Sequence, residues 1–160
     1  MKLYIVRHGQ SEWNALHKVC GSTDSPLTEK GRAQAAETAA LVAEMTKDEP
    51  IDLIIASPLS RALETGKAIQ AACGGVPLIT DDRIREINFG DNEGRDTRDP
   101  DFQAEKRIFP RRHPNGESML GFTHRIYGFL EDILGCRFYT AMVEYIPRRT
   151  HLIVPEDMNI

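Results

Sequence analysis

The stretch LYIVRHGQSEWN, residues Leu3–Asn14, organises the rest of the chain. Its first four residues are apolar or aromatic, and two of them are β-branched, which predicts a short buried strand. Gly9 lets the backbone turn directly afterwards, so Arg7 and His8 are expected at the carboxyl end of that strand. Ligands bind at this edge of open α/β sheets. A histidine beside a permanent positive charge favours chemistry on an anion, and a core strand that simply ends in polar residues is the alternative.

The composition is that of a single globular domain with an ordinary core. Its 160 residues carry 20 Lys and Arg against 24 Asp and Glu, and the net charge of −4 gives no general attraction to nucleic acid or to an acidic membrane. No apolar run approaches the roughly 20 residues of a membrane span, and no signal peptide is recognisable. Cys20, Cys73 and Cys136 are widely spaced without a CxxC pair, which argues against a disulfide framework or a zinc site and favours the cytoplasm.

Helices and strands alternate after the opening stretch, the pattern of an α/β fold with a parallel sheet. A helix is predicted from about Glu29 to Met45, with Thr28 as its N-cap. The small residues expected to let it lie close to the sheet are Ala33, Ala36, Ala40 and Ala43. Strands are predicted over 51–56 and 76–80. The helix between them is expected to begin at Ser57-Pro58 and to end at a pair of glycines.

The later part of the chain contains a polar excursion and then one long helix. Residues 91–114 are expected to form at most one short helix, and the turn 115–118 leads into a helix that ends at Leu134. Its predicted apolar face consists of Met119, Phe122, Ile126, Phe129, Leu130 and Ile133. Beyond Leu134 the pattern weakens, with a strand expected over 138–146 and a very short one over 152–154.

The charged residues near the two predicted strand ends suit phosphate. Arg7 can hold two phosphate oxygens in its guanidinium fork. Arg61 lies in the first turn of a helix, whose N-terminus is itself an anion site; by itself it would be interpreted as a solvated helix residue. His8 is then the natural nucleophile, because a neutral imidazole nitrogen can attack phosphorus when an acceptor holds its other N–H.

Five motifs follow one another along the chain: RHG at 7–9, DSPLT at 24–28, SPLSRA at 57–62, REINFG at 85–90 and GES at 116–118. Together they resemble the signature of the histidine phosphatase superfamily, the phosphoglycerate mutase-like fold. The resemblance covers about residues 1–134 and implies a three-layer α/β/α domain with a mostly parallel sheet. The chain looks most similar to the bacterial phosphatase branch that includes α-ribazole phosphatases, because the long insert that mutases use around the acidic motif is missing.

Carried over to this sequence, the resemblance implies two catalytic residues, with His8 as the phosphorylated nucleophile and Glu86 as the general acid. That acid needs a raised pKa, which partial burial near Ile84, Ile87 and Phe89 would supply. Without the family match, Glu86 would be interpreted as a surface carboxylate paired with a neighbouring arginine. Those neighbours are Arg83 and Arg85.

The resemblance also implies a substrate-binding set around the phosphoryl group, formed by Arg7, Ser11, Asn14, Cys20, Gly21 and Arg61. Cys20 departs from the family, which usually has a polar residue before this glycine. No metal and no other cofactor is implied. The expected partner is a small phosphorylated metabolite.

The resemblance stops after residue 134. The family has a second catalytic histidine in a Ser/Thr-His-Gly-Gly turn, whereas this chain has no His-Gly after His8. His113, His124 and His151 are poor substitutes, since each stands in the wrong sequence context. We therefore divide the chain into a histidine phosphatase-like domain, 1–134, and an atypical segment, 135–160. The apolar residues of that segment that could form a surrogate strand are Phe138, Tyr139, Met142, Val143 and Ile146.

The genetic code suggests a hypothesis for the atypical segment. Residues 141–145, Ala-Met-Val-Glu-Tyr, are encoded by GCN-ATG-GTN-GAR-TAY. A reading that starts at the third base of the Ala141 codon gives NAT-GGT-NGA-RTA. With C and G as the two free bases, this spells His-Gly-Gly followed by Ile or Val, which is the missing motif at the expected distance. The segment would then be an out-of-frame translation.

Three interpretations of function follow from the sequence. The first is a phosphomonoester hydrolase that is impaired by the missing histidine, or a mutase-type phosphotransferase with the same pocket. The second is a non-catalytic module that binds a phosphorylated ligand on the same scaffold. The third is a small α/β domain whose motif matches are accidental, which the order of five motifs disfavours.

Overall fold

Helices and short strands alternate along residues 2–135, the part of the chain that the computed structural model describes. In chain order the elements are α1 (Glu12–Ala15), α2 (Glu29–Met45), β1 (Ile54–Ala56), α3 (Ser60–Ala72), β2 (Leu78–Thr80), 3₁₀ turns at Asp82–Ile84 and Gly90–Asn92, α4 (Pro100–Lys106) and α5 (Met119–Leu134). The two strands pair in parallel, with Ile54 opposite Leu78. The predicted α/β class is therefore confirmed, while the strands predicted over 138–146 and 152–154, with Cys136 and His151, lie outside the described residues.

The predicted first strand is wrong for the described part of the chain. Residues 3–6 carry no strand pairing, and Leu3, Ile5 and Val6 are exposed, Ile5 by 59%. A strand needs a neighbour for its N–H and C=O groups, and β1 pairs with β2 alone among residues 2–135. The apolar pattern thus marks a segment suited to a sheet, but the pairing depends on other parts of the chain.

Helix α2 has the predicted bounds but buries a different face. Its buried residues are Gly31, Ala35, Ala39 and Val42, whereas Ala33, Ala36 and Ala40 are exposed and Ala43 is half-buried. Ala39 and Val42 pack with Ile69 of α3 and with Ile54 of β1. Alanines occur on two faces of this helix, so their spacing in the sequence does not show which face is buried. Contact with α3 determines the buried face.

Helix α3 begins later than predicted. Leu59 is its N-cap, and the Ser57 hydroxyl accepts a hydrogen bond from the Leu59 N–H at 3.4 Å, within the turn before the helix. The end of the helix agrees with the prediction, because it stops at Ala72 and the chain turns through Gly74 at a φ of 79°. The shift leaves Arg61 as the second helical residue, still in the first turn.

A second apolar cluster lies under the polar excursion. Val19, Ile87, Phe89 and Phe102 are buried together, and Met119 and Phe122 of α5 pack against them. Phe102 belongs to α4, the one short helix expected there. Helix α5 begins where predicted, after the N-cap Ser118. Of its predicted apolar face only Phe129 is fully buried. No helix within residues 2–135 is long and apolar enough to cross a membrane.

Candidate active site

Arg61 and His8 meet although 53 residues separate them. The Arg61 Nε–H donates to His8 Nε2 at 3.2 Å. The other guanidinium nitrogens donate to two carbonyls of one loop, Gly21 at 2.7 Å and Thr23 at 3.0 Å. The side chain is only 2% exposed. Arg61 is therefore a buried, fully hydrogen-bonded cation beside the histidine, and the alternative of a solvated helix residue is wrong.

The His8 ring is held in one orientation. Its Nδ1 lies 2.6 Å from the carbonyl oxygen of Gly9. A carbonyl can only accept, so we assign the ring proton to Nδ1, which leaves the lone pair on Nε2 toward Arg61. Burial lowers the His8 pKa from its usual 6.5; the Gly9 carbonyl opposes this shift, and the charges of Arg61 and Arg7 add to it. The ring is thus a neutral imidazole at pH 7, with the tautomer that a nucleophilic Nε2 requires.

Glycines allow the close packing around this pair. A Cβ on Gly9 would stand 2.1 Å from the Gly31 carbonyl at the start of α2, and one on Gly21 would stand 2.1 Å from the Ile87 carbonyl. No side chain fits at such distances. The loop that holds Arg61 therefore lies directly on the segment that follows Glu86.

Glu93 fixes the same loop from the other side. Its carboxylate accepts hydrogen bonds from the N–H groups of Ser22 at 2.8 Å, Thr23 at 2.7 Å and Phe89 at 3.1 Å. The loop thus joins Glu93 to Arg61 through consecutive residues. Glu93 had no predicted role, although it lies three residues after the REINFG motif, because a structural carboxylate and an exposed one look alike in sequence.

The other predicted phosphate-binding residues, Arg7, Ser11, Asn14 and Cys20, differ in their surroundings. Arg7 is exposed, and its charge reaches His8 as one of the smaller causes of the lowered pKa. Ser11 is fully buried, and it forms a capping box on α1 with Asn14, whose Oδ1 accepts from the Ser11 N–H at 3.2 Å and hydroxyl at 2.9 Å. Cys20 is half-buried, lies 3.9 Å from the Thr23 carbonyl, and has a pKa raised by burial. Ser11 and Asn14 thus have structural partners of their own.

Glu86 lies near the histidine but is exposed rather than partly buried as expected. Its Oε1 accepts a hydrogen bond from the Ile87 N–H at 2.9 Å. Its charge is close enough to raise the pKa of His8, as the smallest of the five contributions. The expected burial is wrong because the Glu86 side chain points away from the apolar cluster that contains its neighbour Ile87, which is 2% exposed.

The alternative ion pair of Glu86 is not present either. Arg83 pairs with Asp81 and Asp132, and Arg85 pairs with Asp82 at 3.4 Å. Both arginines are thus directed to aspartates of the 3₁₀ turn and of α5. The Glu86 carboxylate is left facing the cavity described next.

A charged cavity of about 440 Å³ adjoins Glu86. Its lining residues are Ser22, Asp82, Arg85, Glu86, Asn88, Glu117 and Arg125. Ser22 stands between the two residues whose carbonyls hold Arg61, so the cavity lies across one loop from the His8–Arg61 pair. Within residues 2–135 no three His, Cys, Asp or Glu side chains cluster as metal ligands would.

Two of the other described histidines, His113 and His124, have surroundings that differ from those of His8. His113 is buried, with its ring edge-on to Phe89 and its Nδ1 3.1 Å from the Asn92 amide nitrogen. His124 is exposed on α5. His113 is thus a core histidine beneath the polar excursion, and His124 is a surface residue.

Comparison with known proteins identifies one family. A family model described as "Histidine phosphatase superfamily (branch 1)" matches residues 3–137. A curated relative from Yersinia pestis (strain Pestoides F), named "Probable phosphoglycerate mutase GpmB", is 38% identical over 141 residues, which cover 84% of this chain and 63% of the relative. This chain therefore spans less than two thirds of the length of the curated relatives it matches.

Solved structures agree in fold. A mycobacterial glucosyl-3-phosphoglycerate phosphatase superposes with a TM-score of 0.67 at 26% identity, over 80% of this chain and 61% of that one. A candidate alpha-ribazole-5'-P phosphatase from Escherichia coli gives a TM-score of 0.67 at 25% identity, over 81% of this chain and 65% of that one. The phosphoglycerate mutase-like fold expected from the five motifs is confirmed.

Proposed function

The chain belongs to the histidine phosphatase superfamily, and on this premise we propose that it is a phosphomonoester hydrolase that works through a phosphohistidine on His8. The observation that carries the proposal is the contact between the buried Arg61 guanidinium and Nε2 of a neutral His8. A lone pair and a fixed cation at one point suit the transfer of a phosphoryl group.

The first half-reaction transfers the phosphoryl group to the protein. Arg61 Nε turns from the ring to a phosphoryl oxygen, and Arg7 reaches the same group from the surface. His8 Nε2 then attacks phosphorus, and the bond to the leaving oxygen breaks with its electron pair going to that oxygen. Glu86 gives the leaving oxygen its proton. The cavity beside Glu86 holds the organic part of the substrate. Arg85 is the more loosely held of the two arginines that line it, since its described contacts, to Asp82 and to the Ser22 carbonyl, are 3.4 Å long.

The second half-reaction returns the protein to its starting state. A water molecule attacks phosphorus, and the electron pair of the N–P bond returns to His8 Nε2. The Glu86 carboxylate takes the proton of the attacking water. The protein needs no other reactant.

Turnover should be weak, because the chain lacks the second histidine of the family. That residue would donate a hydrogen bond to the phosphoryl group during transfer. The loss of one such donor typically costs about 3–4 kcal/mol, or roughly 10²–10³ in rate. Phosphate binding depends on Arg61 and is expected to persist.

Trapping of the phosphoryl group on His8 tests the proposal. The protein is mixed with 4-nitrophenyl phosphate, quenched in base, and its intact mass is measured. One acid-labile phosphoryl adduct is expected in the unsubstituted protein and none in His8→Ala. An unmodified protein, or an adduct that persists in His8→Ala, would contradict a phosphohistidine mechanism.

The name of the curated relative favours mutase-type transfer as a second candidate. A mutase passes the phosphoryl group from His8 to a second hydroxyl instead of to water. The two reactions differ in their product: release of inorganic phosphate indicates hydrolysis, whereas an isomeric phosphate ester indicates transfer. A module that only binds phosphate would give no adduct at all.

A further inference from the structure

We infer that Arg125 is a positioning residue for the general acid, because its guanidinium holds the backbone that carries Glu86. The inference rests on the proposed function, in which Glu86 protonates the leaving oxygen. Arg125 lies on α5, far from Glu86 in sequence. Its Nη1 donates to the carbonyls of Arg83 at 2.6 Å and Arg85 at 2.7 Å, and its Nη2 donates to the carbonyl of Glu86 itself at 3.0 Å.

Glu117 completes the clamp from the residue before the N-cap of α5. Its carboxylate forms a two-point ion pair with Arg125, Nε to Oε1 and Nη2 to Oε2, both at 2.9 Å. The same Oε2 accepts from the Asn88 N–H at 2.9 Å, and the Glu117 N–H donates to the Asn88 carbonyl at 2.7 Å. The segment 83–88 is therefore held on both sides of Glu86 by one ion pair.

The orientation of the guanidinium is itself fixed. Arg125 stacks over the ring of Phe122, 4.8 Å from its centroid, and that ring packs against the buried cluster of Val19, Ile87 and Phe89. Hydrogen bonds in which one partner is charged are about twice as strong as neutral ones. The planar guanidinium thus donates five hydrogen bonds at once, to three carbonyls and to both Glu117 oxygens, whereas a lysine ammonium has only three N–H donors.

Such a clamp matters because the Glu86 side chain is exposed. Its described hydrogen bond goes to the adjacent Ile87 N–H, so the position of its carboxylate follows that of its backbone. A general acid must lie within hydrogen-bond reach of the leaving oxygen, and a misplacement of about 1 Å can cost roughly 10²-fold in rate. The hydrogen bonds of Arg125 therefore fix the backbone at Glu86, whose exposed side chain is not fixed by burial.

Two phosphoryl donors distinguish a variant in which the acid is misplaced from a variant that is merely less stable. The leaving group of 4-nitrophenyl phosphate departs without a proton, whereas that of glycerol 3-phosphate needs one. We would measure single-turnover phosphorylation of His8 by both donors in the unsubstituted protein, Arg125→Gln, Arg125→Lys and Glu86→Gln. Arg98→Gln is the matched control, because Arg98 pairs with Asp96 on the exposed surface.

Arg125→Gln should slow phosphorylation by glycerol 3-phosphate about 10²-fold and by 4-nitrophenyl phosphate less than about threefold. Glu86→Gln should give the same pattern, Arg125→Lys an intermediate one, and Arg98→Gln no change. The ratio of the two rates within one sample does not depend on the fraction of folded protein, so it remains valid if a variant is unstable.

Equal losses on both donors in Arg125→Gln would overturn the inference and leave the proposed function intact. A protein that 4-nitrophenyl phosphate modifies but glycerol 3-phosphate never does would also overturn it, since no acid then acts. If neither donor modifies the unsubstituted protein, the proposed function itself fails, and the inference fails with it.

Discussion

The His8 ring combines a fixed orientation with a neutral charge. The Gly9 carbonyl accepts from Nδ1, and burial beside two arginines keeps the proton off Nε2. The orientation follows from local geometry, since the acceptor is the next residue along the chain, whereas the neutral charge depends on burial and on Arg61, which the fold brings to the ring. The sequence predicted His8 as the nucleophile from its place beside Arg7 in the RHG motif, whereas the hydrogen bond from Arg61 required the fold.

The lowered pKa of His8 can be measured directly. An NMR titration of the ring should give a midpoint below the usual 6.5, because burial and the charges of Arg61 and Arg7 disfavour the imidazolium. Phosphorylation of His8 should therefore persist to a lower pH than it would with an unperturbed imidazole. A midpoint at or above 6.5 would show that the ring is more solvated than the structure implies.

The same shift makes stability depend on pH. The unfolded chain takes up the proton near pH 6.5 and the folded chain only at lower pH, so the free energy of unfolding should fall as the pH drops below about 6.5. Burial also lowers the pKa of His113, which adds to the effect. Chemical denaturation between pH 5 and 7 should show a shallower slope for His8→Gln, with the part due to His113 remaining.

Two elements place the groups of the site. The start of α3 carries Arg61, and α5 carries Arg125 against the segment that bears Glu86. Both helices have sequence signals, and Ser118 was correctly predicted as the turn before α5. The start of α3 was predicted two residues early, because Ser57-Pro58 has the residue types of a helix start but forms the turn before it.

The N-cap of α5 offers a test at the level of this element. The Ser118 hydroxyl accepts from the Gly121 N–H at 3.0 Å, and its loss in Ser118→Ala should lower the free energy of unfolding by about 1 kcal/mol. Thr123→Ala is the control, because it removes a hydroxyl that only returns to the Met119 carbonyl within the same helix. Urea denaturation should show a change below about 0.5 kcal/mol for this control. Equal losses would contradict a capping role for Ser118.

At the scale of the whole molecule, the described residues bring His8, Arg61 and Glu86 near one another, and we propose that they form one half of a phosphoryl-transfer site. Three of the four residues with the strand pattern, Leu3, Ile5 and Val6, lie exposed, and most of the apolar face of α5 is only partly buried. These are the surfaces that a further strand after α5 would cover. The sequence after Leu134 does not contain the histidine motif expected there.

A shifted reading frame in the gene would explain the missing motif, and the DNA sequence of this region tests that explanation. We expect the codon of Ala141 to be GCC and that of Val143 to be GTG, because only these bases give His-Gly-Gly in the shifted frame. Sequencing of the coding strand checks both positions. Restoration of that frame should raise phosphatase turnover by roughly 10²–10³. Any other base at either position would rule out the shift.

The sequence by itself determined the family, most of the helices and strands between residues 29 and 134, His8 as the candidate nucleophile after residue 6 and the turn that precedes α5. These depend on neighbouring residues, whose spacing and side-chain chemistry act locally. The tertiary structure alone decided which alanine face of α2 is buried, that residues 3–6 lack a described partner, and that Glu86 is exposed. It also brought Arg61 to His8 and Arg125 to the Glu86 backbone. Such contacts join residues about 40 to 50 positions apart, and their hydrogen bonds form only where packing brings the partners together.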